Sequence, residues 1–475
     1  MLFSSLFFLF AFLPAVILAY YGQYLLSKNR LRNLVLLFFS YLFYLFGAPD
    51  FILFLAGSTL FDYAVGRFMD RFPGHKRLWL ILSIVVNLGL LAWFKYANFM
   101  VDQTADALQQ MGLDLSGWET VILPIGISFF TFQKLSYTID VYRGRCRSIA
   151  NIIDFAMYVA LFPQLVAGPI VRFVDIRQQI ENRVETWDHF YGGAVRFCWG
   201  LSKKVILADT CGRFADLAFG HPTASLDTIG AWVGALAYTL QIYLDFSAYS
   251  DMAIGLGMLF GFRFRENFNR PYTALSLTDF WRRWHISLSR WFRDYLYLPL
   301  GGNRKGAART YLNLTIVFLL CGFWHGANWT FVLWGAYHGL FLVAERITGL
   351  RKLPENRLRG LRRLLTLTIV ICGWVIFRCD DIFHAAGYFS AMFSLDFSGL
   401  APWLVDLFDL KNTVLLLCAA TALILPSGSL ETDGPLQKRK LLPTAAGIVV
   451  FTVLFPWCVV IMASGNLNPF IYYRF

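Results

Sequence analysis

The sequence predicts an all-α, polytopic membrane protein of about 11 transmembrane helices, with re-entrant and interfacial helices among them. Three observations lead there. Hydrophobic residues make up 57% of the 475 and charged residues 15%, whereas ordinary soluble domains carry roughly 25% charged residues. Runs such as Leu2–Leu26, Leu78–Phe94 and Leu441–Met462 are long enough for a bilayer core, which needs about 20 apolar residues. The formal net charge of +12 is gathered in short segments between apolar runs: Lys28/Arg30/Arg32, Arg67–Arg77, Arg143/Arg145/Arg147, Arg351–Arg363 and Lys438–Lys440. That is the positive-inside pattern of a membrane protein rather than the footprint of a nucleic-acid binder.

The first run precedes basic residues, but Tyr20-Tyr21-Gly22 is no small-residue cleavage site, so it reads as a retained helix. Acidic segments alternate with the basic ones: Asp102, Asp106, Asp114 and Glu119, then Asp380, Asp381, Asp396, Asp406 and Asp409. This alternation places the N-terminus outside the cytoplasm. Further spans are expected near 33–46, 51–66, 78–97, 120–140, 152–171, 190–218, 230–260, 308–324, 329–345, 364–379, 411–427 and 441–463, several of them too short or too broken for a simple crossing. Phe162-Pro163 and Gly168-Pro169 interrupt Ile153–Val171. Such a break within a bilayer must be buried in protein or line a cavity, which marks a re-entrant segment. The block from Phe262 to Leu300 is a second one. The eight cysteines form no CxxC pair and read as small packing residues.

On a helix at about 100° per residue, Trp281, Trp284, His285, Leu288, Trp291, Phe292 and Tyr295 share one face, with Ile286 the exception. Arg282, Arg283, Arg290, Arg293 and Asp294 lie opposite. One interfacial helix is expected, its arginines available to lipid phosphates or an anionic ligand. A purely anchoring helix would look the same.

Ionisable residues inside apolar spans are costly and tend to mark function. His325 lies between two apolar stretches, with Gly322 and Gly326 leaving room for a partner to approach the backbone. A neutral imidazole there can take a proton from a hydroxyl or thiol, though a core histidine held by one carbonyl has the same sequence signature. His338, in the next span, is equally a packing candidate. His285, His325, His338 and Cys321 show no zinc-ligand spacing, so no metal is expected. Asp245 and Asp251 are on different helical faces, and GxSxG is absent. Asp245 is expected to pair with a buried cation such as Lys203 or Lys204, or to position substrate, as are Trp324 and Asn328 beside His325.

Gln241–Gly257 (QIYLDFSAYSDMAIGLG), Asn267–Pro271, Phe280–Arg304 (FWRRWHISLSRWFRDYLYLPLGGNR) and Gly322–Gly339 (GFWHGANWTFVLWGAYHG) resemble the core of the membrane-bound O-acyltransferase family. So do Phe94–Phe99, Leu123–Gly144 and Phe162–Phe173 upstream. The likeness covers most of the chain, thins after Cys379, and is strongest to the bacterial alginate O-acetyltransferase branch; D-alanyl transfer proteins of teichoic acid synthesis are more distant.

The resemblance implies one membrane domain over 1–475, a ring of helices around a central tunnel. Its catalytic core spans roughly 94–345 and its C-terminal helices roughly 364–463. It implies acetyl transfer from a cytoplasmic thioester, acetyl-CoA, across the bacterial inner membrane to an extracytoplasmic polysaccharide. Alginate is the expected acceptor; cellulose, peptidoglycan or D-alanyl transfer are alternatives. The family histidines fall on His325, as general base or covalent relay, and on His285, which would orient groups or stabilise developing charge. A periplasmic partner protein that accepts the acetyl group is implied as well. Arg282, Arg283 and Arg290 become candidates for the CoA phosphates. A transporter or flippase also suits broken helices and buried polar groups, but inverted repeats are not evident and the WH-rich motifs have no role there.

Overall fold

The computed structural model describes residues 1–27, 31–110, 117–166, 168–350, 353–354, 356–397, 402–423, 444–465 and 470. Lys28, Arg30, Asp114, Arg351 and Lys438–Lys440, which the charge pattern uses, lie outside them. Among the described residues the chain is helical, with no strand. Among the described residues, four helices are long and apolar enough to cross a membrane: Pro49–Arg71, Pro73–Ala105, Ala307–His325 and Arg359–Arg378. Shorter apolar helices occupy Phe8–Tyr24, Arg32–Leu45, Ile382–Phe393, Leu410–Ala422 and Gly447–Ala463. Large apolar side chains stand fully outward, Leu53 at 82% and Phe383 at 88% exposure. Lipid is the solvent that such faces suit. This is a multi-pass membrane protein.

The chain forms two compact units, residues 1–190 with 256–264, and residues 191–255 with 265–475. In the first, the interruption expected at Phe162-Pro163 is present. Helix Ile152–Ala160 stops at Leu161, and a single turn, Phe162–Leu165, follows with its proline in the first turn. Side chains satisfy the backbone groups that the break releases. The Phe162 N–H donates to Ser40 Oγ (3.1 Å), and Gln164 Nε2 donates to the Tyr158 carbonyl (2.7 Å). The Tyr158 hydroxyl donates to the Val171 carbonyl (3.0 Å). Residues 155–166 and 168–171 are buried, as a broken ladder in a bilayer requires. The turn also delivers Phe162 into an aromatic cluster with Phe12, Phe43 and Phe260, at centroid distances of 5.6, 5.7 and 6.0 Å.

A polar knot ties helices Ile52–Arg71, Lys76–Gln110 and Ile127–Tyr142 together. Asp62, fully buried, pairs with Lys134 Nζ at 3.5 Å and accepts from Ser83 Oγ (2.7 Å) and Asn87 Nδ2 (2.9 Å). An isolated buried charge would be expensive, but a paired and hydrogen-bonded one fixes helix register at modest cost.

In the second unit, a wide helical turn at Lys203–Ala208 separates Trp187–Ser202 from Asp209–Gly220. It aims consecutive lysines at different carboxylates of the long Thr228–Leu259 helix, Lys203 at Asp251 and Lys204 at Asp245 (3.0 Å), and Lys204 also pairs with Asp209 (2.8 Å) at the start of the following helix. Arg196 joins Asp251 (2.8 Å) to Glu266 (2.6 Å). One apolar helix among the described residues escaped the hydropathy reading. Ile382–Phe393 lies in what reads as an acidic loop, and Asp381 is its cap, accepting from the His384 N–H at 2.7 Å.

Candidate active site

Helices Ala307–His325 and Trp329–Ile347 form a tight hairpin around Gly326-Ala327-Asn328. The glycines allow the closeness. A Cβ on Gly322 would stand 2.2 Å from the Phe331 carbonyl oxygen, and one on Gly335 would stand 2.3 Å from that of Phe318. The room beside Gly322 is therefore filled by the partner helix. Asn328 caps the second helix, its Oδ1 accepting from the Thr330 N–H (3.0 Å) while its Nδ2 donates to the Asp380 carbonyl (2.6 Å). Both ends of that amide are engaged by backbone.

His325 is the last residue of its helix, at the turn rather than within the span, and is 6% exposed. Its ring meets Trp324, Trp334 and Phe377 edge to face, at centroid distances of 4.9, 5.2 and 5.2 Å. His285 is 1% exposed, with its ring against Phe246 (4.7 Å) and Trp324 (6.2 Å). The indole of Trp324 thus contacts both family histidines, one on each side of the sequence gap between residues 285 and 324. A neutral imidazole in such a place can accept a proton from a hydroxyl.

The single amphipathic helix expected from Trp281 to Tyr295 is not what forms. The segment is two short helices, Leu277–Arg283 and Ile286–Phe292, followed by one wider turn, Arg293–Tyr297. His285 sits at the break with φ +43°. Upstream backbone causes the break: the Asn269 N–H donates to the Arg283 carbonyl, and the Ile286 N–H donates to the Asn267 carbonyl, both at 2.9 Å. Those groups leave the helical ladder, and no periodicity within 281–295 could signal it. The burial pattern survives: Trp284, His285, Leu288, Trp291, Phe292 and Tyr295 are buried and Arg282 is exposed. Asp294, expected on the outer face, is buried instead and pairs with Arg293 at 2.7 Å. Arg283 pairs with Asp279 at 2.8 Å.

The remaining candidates make other contacts. Asp245 is held by Lys204 at 3.0 Å, the kind of buried pairing expected of it. His338 packs among Trp281, Trp334 and Tyr337 at centroid distances of 5.1, 4.9 and 5.3 Å. Arg290 is half-buried. Among the described residues, no group of three His, Cys, Asp or Glu side chains could hold a metal ion. Residue-level reasoning missed Phe246, Trp334, Phe377 and above all Asn267, whose side chain reaches His285 from 18 positions upstream.

Comparison with known proteins agrees with the motifs. The membrane-bound O-acyltransferase family matches residues 74–377. The probable alginate O-acetylase of Pseudomonas aeruginosa is 50% identical over 399 residues, covering 83% of this chain and 75% of that protein. The peptidoglycan O-acetyltransferase of Helicobacter pylori is 38% identical over 430 residues, 83% of this chain and 80% of the relative. The teichoic acid D-alanyltransferase of Bacillus subtilis is 26% identical over 278 residues, 55% of this chain and 70% of the relative. A helical, multi-pass chain with these motifs and these relatives belongs to the membrane-bound O-acyltransferase family and is an O-acyltransferase.

Proposed function

We propose that this protein O-acetylates alginate, moving the acetyl group of cytoplasmic acetyl-CoA across the bacterial inner membrane to an acetyl-accepting partner protein in the periplasm. The observation that supports the acceptor best is the 50% identity to a probable alginate O-acetylase over 83% of the chain. The charge alternation supports a periplasmic N-terminus and basic segments on the donor side.

In this reading His325 is the general base. The attacking hydroxyl gives its proton to the imidazole as its oxygen forms a bond to the thioester carbonyl carbon. The C–S bond then breaks, and the CoA thiolate leaves and takes the proton back. His285, across Trp324, completes the site. Arg282, exposed at the end of its short helix, meets the CoA phosphates first; Arg290 follows, and Arg283 is already half-neutralised by Asp279.

The test is ester analysis of surface polymer from a deletion strain carrying either the natural gene or His325→Ala. The variant should insert at normal levels and leave the polymer without O-acetyl esters. Full acetylation by the variant would sink the assignment of His325. Loss of esters from peptidoglycan with alginate unaffected would move the acceptor instead.

A further inference from the structure

The hydrogen bonds around Asn267 determine which nitrogen of His285 carries the proton. Asn267 is 1% exposed. Its side-chain oxygen is identified without ambiguity, because it faces the Ser287 backbone N–H at 3.1 Å, a group that only donates. Ser287 Oγ donates to the same oxygen at 2.9 Å, and Asn267 Nδ2 is turned the other way, donating to Ser250 Oγ at 3.2 Å. His285 Nδ1 lies 3.2 Å from that carbonyl oxygen. A carbonyl oxygen cannot donate, and the Ser287 hydroxyl, 3.5 Å from Nδ1, already gives its proton to that same oxygen over the shorter 2.9 Å, so Nδ1 is the protonated nitrogen. In a neutral imidazole, Nε2 is then left with a lone pair. That atom is buried and has no hydrogen-bond partner among the described residues.

The main chain supports the same arrangement. His285 holds φ +43°, a left-handed conformation costly for a residue with a Cβ. The Asn267 carbonyl accepts the Ile286 N–H on the far side of that residue. Asn267 therefore grips the strained turn by its backbone and the imidazole by its side chain.

We propose that Asn267 is a positioning residue that locks His285 as the Nδ1–H imidazole, making Nε2 the hydrogen-bond and proton acceptor of this half of the site. The proposal rests on the reading of His285 as part of the active site, and it revises the role the family resemblance implies. Stabilising a developing oxyanion needs a donor, and a neutral His285 in this tautomer presents none at Nε2. It instead accepts from a hydroxyl or a water. A proton taken at Nε2 makes the ring an imidazolium, with Nδ1–H still bonded to a neutral amide, so the ring gives the proton back more readily than it would beside a carboxylate.

The experiment uses the full-length protein in lipid nanodiscs with 15N-labelled histidine, the His285 signals being assigned by their loss in His285→Gln. The expected wild-type spectrum shows a protonated Nδ1 and an unprotonated Nε2. Asn267→Ala should lose that preference and lower kcat more than it raises KM. Asn267→Asp should keep Nδ1–H and move the acid limb of the pH–rate profile up by about one unit, because a carboxylate stabilises the imidazolium. If Asn267→Ala does not fold, the wild-type tautomer and the Asn267→Asp profile still decide. A wild-type Nε2–H signal together with an inactive His285→Gln would overturn the proposal alone. A fully active His285→Gln would overturn the site reading, and with it the functional half of the proposal. An unmoved acid limb in a folded Asn267→Asp would also count against it.

Discussion

At the scale of single residues, the site is a tryptophan between two histidines, closed in by Phe246, Trp334 and Phe377. Each ring nitrogen in such a place has few partners to choose from, so small changes in hydrogen bonding have large chemical effects. The arginines are different, because the CoA contact proposed for them would be made at the surface. Arg282 is exposed, and an exposed guanidinium gains little from a screened phosphate contact. Arg282→Ala should therefore raise the acetyl-CoA concentration for half-maximal transfer by about 1.5-fold to fivefold, with kcat nearly unchanged. Measured transfer in vesicles at varied acetyl-CoA checks this, and an unchanged dependence removes Arg282 from the donor site.

At the scale of elements, the hairpin of Ala307–His325 and Trp329–Ile347 places His325 through a glycine contact. A methyl on Gly322 would press on the Phe331 carbonyl, a backbone atom that cannot swing aside. Gly322→Ala should cost about 1–3 kcal/mol, as overpacking of a tight core does, and should lower the thermal midpoint of the detergent-solubilised protein. It should also depress transfer, since His325 is three residues on; an unshifted midpoint would refute the close approach. The sequence showed much of this scale. Phe162-Pro163 breaks its helix as written, because proline acts locally. The break at His285 was hidden, because its cause is the Asn267–Asn269 backbone, far away in sequence. Asn328, a candidate for positioning substrate, has both ends of its amide engaged by backbone, one of them as a helix cap. Ile382–Phe393 was obscured by the aspartates around it, one of which is its cap.

At the scale of the whole molecule, the membrane class was legible from composition and charge placement, since neither depends on tertiary contacts. Long-range polar knots were not. In the first unit, Glu185 accepts from the Tyr20 and Tyr24 hydroxyls and from Arg32, with Arg183 Nε beside it at 3.5 Å. Burial pushes its carboxyl up, but the two tyrosine hydrogen bonds and the two guanidinium charges outweigh that and hold it below the usual glutamate range. A folded-state value below the unfolded one, near ~4.3, adds stability above that pH and loses it as pH falls through the folded value. Glu185→Gln should lower the thermal midpoint at neutral pH, and its gap from the natural protein should shrink on acidification. A gap that is constant or widens with acid would deny the linkage.

In the proposed reading, His325 carries acyl transfer from a cytoplasmic thioester. Inverted membrane vesicles from cells expressing the whole acetylation system, supplied outside with acetyl-labelled acetyl-CoA, test it most directly. The natural protein should move label to acceptor enclosed in the vesicle, and His325→Ala, inserted at the same level, should leave it at the background of vesicles lacking the protein. Equal labelling by the two would remove His325 from the chemistry.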